Sequence, residues 1–109
     1  MAIQKWSEEI TVVELGDDPQ FTDDLSALTD SLETEPTHAV LNFSAVGFIN
    51  SSNVSQLLRI RKLTAGTDKK LVFCDVNSQV WGVFLVTGLD KIFDFTNDIA
   101  TALATVQLS

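Results

Sequence analysis

Asn50-Ser51-Ser52-Asn53 places four hydrogen-bonding side chains in a row, directly ahead of a helical pattern. A helix start uses one or two such groups as caps. Asn53 with Gln56 has the spacing of a capping box, which leaves Ser51 and Ser52 surplus. A surplus serine there can take up a phosphoryl group, because the product meets free backbone N–H groups and the positive end of the helix dipole. The added charge, roughly −1.5 to −2, is enough to disrupt a close interface. Val76-Asn77-Ser78 forms a second polar junction before a helix. Catalysis finds less support. His38 is the sole histidine, and neither serine sits in a G-x-S-x-G elbow. Cys74 is the sole cysteine, which excludes an internal disulfide and a multi-thiolate metal site. No Gly-rich phosphate loop is present. Asp17-Asp18 and Asp23-Asp24 read as turn and first-turn acids, solvated rather than catalytic. An enzyme is not expected, and no cofactor or metal is expected.

The elements that position these residues follow from hydrophobic pattern. Ile10–Leu15 is β-branched and ends at Gly16-Asp17-Asp18-Pro19, a strand followed by a turn; Ala2–Glu8 is a weak edge strand beside it. Thr22 opens a helix with Leu25, Leu28 and Leu32 on one face and Asp23 and Asp24 in its first turn, stopped by Pro36. Ala39–Phe43 reads as a buried strand. Val54–Leu63 reads as a helix, with Arg59, Arg61 and Lys62 in its last turn and Gly66 as its stop. Lys70–Val76 is a further strand. Asn77 caps a helix through Val80, Trp81, Phe84 and Leu85 that ends at Gly88, and Trp81 is expected in the core. Ile92–Phe95 is a last strand, and Asn97 or Asp98 starts a helix through Ile99, Leu103 and Val106. Strands alternating with helices imply crossover connections. The expectation is one small α/β domain spanning residues 1–109. Its sheet is mainly parallel, with four or five strands, a mixed edge and about four helices.

At 109 residues and 45% hydrophobic, the chain suits a single core without staples. Its net charge of −8 disfavours nucleic acid, which needs clustered Lys and Arg. The charge is uneven: residues 1–35 carry −9 and residues 36–109 carry +1. The acidic third serves as a solvated face, or steers a basic partner protein. No apolar stretch approaches the ~18–20 residues of a spanning helix, so membrane insertion is not expected. The first residues run into Glu8 and Glu9 without an apolar export segment, and cytoplasm is the expected compartment.

Val40-Leu41-Asn42-Phe43-Ser44, then Val46-Gly47-Phe48-Ile49-Asn50-Ser51-Ser52-Asn53 and Leu57-Leu58, resembles the central signature of the STAS domain family, the bacterial anti-sigma factor antagonists and their relatives. Leu71–Ser78 followed by Phe84–Phe93, with Thr87-Gly88-Leu89 inside it, is similar to the family's second signature. The resemblance implies a cytoplasmic interaction module in transcription regulation. Its partner would be an anti-sigma factor with serine kinase activity, and a phosphatase would reverse the modification. It implies Ser51 as the phosphorylated residue, with Ser52 the second choice. The implied partner-binding set is Asn50, Ser51, Ser52, Asn53, Val54, Gln56, Leu57, Thr87, Gly88 and Leu89. Asn50 stands where the family has Asp, and Asn53 where it has Gly. These departures also suit an alternative, a non-phosphorylated STAS subunit of a lipid-transport ATP-binding cassette system or another scaffold.

Overall fold

The computed structural model describes residues 3–108. In order, they form β1 (Ile3–Lys5), β2 (Ile10–Gly16), α1 (Gln20–Thr34), β3 (His38–Ala45), α2 (Ser51–Gly66), β4 (Leu71–Cys74), α3 (Ser78–Thr87), β5 (Asp94–Thr96) and α4 (Ile99–Gln107), with a 3₁₀ turn over Leu89–Lys91. The sheet order is β1-β2-β3-β4-β5. β1 runs antiparallel to β2, and the other neighbours are parallel, the mixed-edge α/β arrangement the pattern implies. Of the expected edge strand, Ala2 lies outside the described residues and Ile3–Lys5 pairs.

Because successive side chains on a strand face opposite ways, each strand serves two layers. Val13, Leu15, Leu41, Phe43 and Phe73 join Phe21, Leu25, Leu28 and Leu32 of α1, Leu57 and Ile60 of α2, and Val80 and Phe84 of α3 in one core. Phe43 lies at its centre, with ring centroids 5.0 Å from Phe73, 6.0 Å from Phe21 and 6.3 Å from Phe84. On the opposite face, Val12, Val40, Val72 and Cys74 pack against Ala102 and Val106 of α4. Burial pushes the Cys74 thiol up to about 12, with Asp75 beside it adding to the effect. Thr11 and Thr37 are buried polar residues that satisfy one another through a hydroxyl pair at 2.8 Å. Trp81 is half-buried rather than a full core residue, its ring 4.9 Å from Phe95 in edge-on contact.

Several boundaries shift for local reasons. α1 starts at Gln20, ahead of Thr22, because the Asp18 side chain accepts the Thr22 N–H and stabilises a turn already begun at Pro19. The earlier start leaves Asp23 as the first-turn acid. β3 runs past Phe43 to Ala45. α2 starts at Ser51 and continues to Gly66, so Arg59, Arg61 and Lys62 fall short of its last turn. β4 stops at Cys74, since Asp75 turns to φ 58, a left-handed conformation that leaves the strand. The 3₁₀ turn displaces β5 to Asp94–Thr96. Asn77, Gly88 and Asp98 take their expected places: both polar residues accept an N–H three positions on, and Gly88 adopts φ 76 at the end of α3.

Candidate functional site

β2, β3 and β4 are parallel, so their following loops emerge along one edge of the sheet. Side chains there tie the loops to one another. Gly47 N–H donates to Asp17 Oδ1 at 2.8 Å, joining the β2–α1 and β3–α2 loops. Asn77 Nδ2 donates to the Val46 carbonyl at 2.9 Å, joining the β4–α3 loop to the same segment. Asp18 completes the ties. Its Oδ2 accepts the side-chain amides of Asn50 at 3.2 Å and Asn53 at 3.0 Å. Its Oδ1 accepts the Thr22 N–H at 2.9 Å and the Thr22 hydroxyl at 2.7 Å.

The start of α2 carries a reciprocal cap, set between Asn50 and Asn53 rather than between Asn53 and Gln56. Asn53 N–H donates to Asn50 Oδ1 at 2.9 Å, and Asn50 N–H donates to Asn53 Oδ1 at 3.1 Å. Ser51 and Ser52 lie between these two residues, in the first turn, and both are exposed. Neither hydroxyl is hydrogen-bonded to another described residue. The turn is thus braced by its flanking amides, while its two hydroxyls face solvent. The hydrogen bonds to Asp18, with the Thr22 hydroxyl first and Asn53 next, hold its carboxyl below the usual carboxylate range. An ionised group therefore lies against residues adjoining Ser51.

The structure divides the residues expected at the interface. Asn50, Ser51 and Ser52 are exposed on the loop and first turn, and Val54 is half-buried against the core. Asn53 is only 2% exposed with its amide turned to Asp18, and Leu57 is fully buried. Neither offers its side chain to a partner, because the helical period turns both inward. Gln56 spans to α1, its Nε2 donating to the Thr22 carbonyl at 3.2 Å. Thr87, Gly88 and Leu89 lie at the far end of α3, about 15 Å from Asn77 at the helical rise over the ten residues of that helix. They do not join the loop cluster. The Thr87 hydroxyl donates to the Val83 carbonyl at 2.8 Å, and Leu89 packs on the core. Exposed instead beside the serines are Phe48, at 60%, and Leu58 farther along α2.

Asn77 belongs to the second polar junction that the sequence marks, Val76-Asn77-Ser78, whereas Asp17 and Asp18 read there only as solvated turn acids. For these two acids the one available signal was their common position between a strand and a helix. Among the described residues, no group of three or more His, Cys, Asp or Glu could hold a metal ion, and no helix is long and apolar enough to cross a membrane.

Comparison with known proteins gives a consistent picture. A family model described as the STAS domain matches residues 7–102. Among solved structures, a Thermotoga maritima protein described as an anti-sigma factor antagonist superposes with a TM-score of 0.84 at 17% identity, covering 96% of this chain and 92% of that one. An anti-sigma-factor antagonist (STAS) domain protein of Planctomyces limnophilus gives 0.79 at 16% identity, covering 96% and 97%. The anti-sigma factor antagonist SpoIIAA in its unphosphorylated form gives 0.82 at 15% identity, covering 98% and 96%. At these identities the likeness is one of fold. No curated protein is similar to the chain at the level of sequence.

Proposed function

The chain belongs to the STAS domain family, and we propose that it is a protein-docking module of the anti-sigma factor antagonist type, switched by phosphorylation of Ser51. The partner is an anti-sigma factor with serine kinase activity, and the chain works in the cytoplasm. In the transfer, Ser51 Oγ forms a bond to the γ-phosphorus of ATP, the bond to ADP breaks, and the hydroxyl proton leaves. A phosphatase restores the hydroxyl by hydrolysis. Ser52 is the second acceptor.

One observation carries this reading: an exposed, unbonded hydroxyl in the first turn of a helix whose own caps are already satisfied by neighbouring side chains. Ser51 is not needed to cap α2, so its hydroxyl is available to be modified. The docking surface then comprises Asn50, Ser51, Ser52, Phe48 and the outward residues of α2, among them Leu58. A phosphate at Ser51 adds charge at a surface that must desolvate on binding.

The test has two parts. Incubation with the cognate kinase and ATP, followed by peptide mass analysis, is expected to place phosphate on Ser51. Ser51→Asp is expected to weaken partner binding by about 1–3 kcal/mol, while Ser51→Ala binds as the unaltered chain does. An unmodified 50–53 segment under an active kinase, or equal affinities for the two variants, overturns the reading. Recovery of transporter subunits and no kinase-like protein in a pull-down supports the scaffold alternative instead.

A further inference from the structure

Asp18 is the most heavily bonded side chain at this edge of the sheet. Each carboxylate oxygen accepts two donors: Thr22 N–H and hydroxyl on one, the Asn50 and Asn53 amides on the other. The two asparagines each use both ends of the amide. Their oxygens accept the backbone N–H groups that close the first turn of α2, and their NH₂ groups reach across to the neighbouring loop. A short amide carries its acceptor and its donors on separate atoms, so one end can close the turn while the other reaches Asp18. A carboxylate at position 50 could still accept the Asn53 N–H, but it would set one anion against another at Asp18. The residues on both sides of Ser51 and Ser52 are therefore held by a single anion from a loop more than 30 positions earlier.

We infer that Asp18 is the positioning residue of this turn: its carboxylate holds the Ser51–Ser52 segment closed through Asn50 and Asn53, and negative charge placed on Ser51 opens that clasp and frees the β2–α1 loop. The biological sense of the inference rests on the reading of Ser51 as a switch; the geometry of the clasp does not. Two anions are brought into one turn when Ser51 is charged. The amides that bridge them cannot serve both, so the tie to Asp18 gives way. The change then passes to Thr22, whose N–H is bonded to the other oxygen of the same carboxylate.

The experiment is residue-resolved amide hydrogen exchange by NMR on the full chain, which reads Asn53 N–H on one side of the clasp and Thr22 N–H on the other. Ser51→Asp and Asn50→Asp are both expected to speed exchange at the two sites roughly tenfold, the scale of losing a hydrogen bond to a charged group. The reciprocal double variant Asp18→Asn with Asn50→Asp rebuilds an amide–carboxylate pair in reverse, and is expected to restore protection at Asn53 towards that of the unaltered chain. It also provides a folded control for Asn50→Asp. Unchanged exchange at Thr22 in Ser51→Asp, or no rescue in the double variant, overturns the clasp. The two readings fail separately. Faster exchange with undiminished partner binding in Ser51→Asp retires the switch and keeps the clasp, whereas weakened binding with unchanged exchange does the reverse.

Discussion

Asp18 shows how one carboxylate can act as a structural part while remaining in contact with water. Its four hydrogen bonds favour the ionised form, so folding binds the group in its charged state more tightly than the unfolded chain does. The stability it contributes is present above the ordinary value of 3.8 and is lost as pH falls through its lowered folded value. Urea midpoints compared across pH are expected to separate the unaltered chain from Asp18→Asn between pH 5 and pH 7, and to converge in acid below about pH 3.8. A gap that persists unchanged in acid would mean the charged form has no special role. The surplus of Ser51 and Ser52 over the needs of a cap was legible in the sequence, from the crowding of polar residues alone. The role of Asp18 was not, because its amide partners lie 32 and 35 positions away and nothing local distinguishes it from a solvated turn acid.

Among the elements, α2 and α3 contrast in how their ends were read. Gly88 was expected to stop α3 and does so at φ 76, where an added Cβ would meet nothing within 4 Å. Gly88→Ala is therefore expected to cost about 1–2 kcal/mol through backbone strain alone. Gly88→Asn should cost less, since Asn tolerates the left-handed region, and chemical denaturation measures both. Equal stability of all three chains would show that the turn relaxes to another conformation. The start of α2 was placed three residues late because Asn53 and Asn50 are equally good caps on propensity. In the fold Asn50 is the cap, its Oδ1 accepting the Asn53 N–H, and Asn53 completes the box from inside the first turn. The early end of β4 at Asp75 likewise depends on a left-handed residue that a run of apolar side chains does not announce.

For the molecule as a whole, the parallel sheet was legible because its inner strands are short apolar runs separated by helix-length segments, a pattern with few other solutions. The packing between layers rests on aromatic residues contributed by α1, β3, β4 and α3. Phe43→Ala removes the ring at the centre and is expected to lower the unfolding free energy by about 3–5 kcal/mol, read from the denaturation midpoint. Phe48→Ala, at a ring 60% exposed in the β3–α2 loop, is expected to shift it by less than about 0.5 kcal/mol. Comparable losses from the two would mean that the aromatic cluster does not organise the fold.

The two faces of the sheet are unequally protected, three helices against one, and the lone thiol lies beneath the thinner cover. A sulfhydryl reagent at neutral pH must wait until α4 lifts, so its rate of attachment to Cys74 becomes a clock for partial opening on that side. Val106→Ala trims the lid without touching the three-helix layer. If labelling then quickens beyond what the global unfolding equilibrium accounts for, α4 detaches as a unit of its own; if both change in step, the lid leaves only when the entire molecule comes apart.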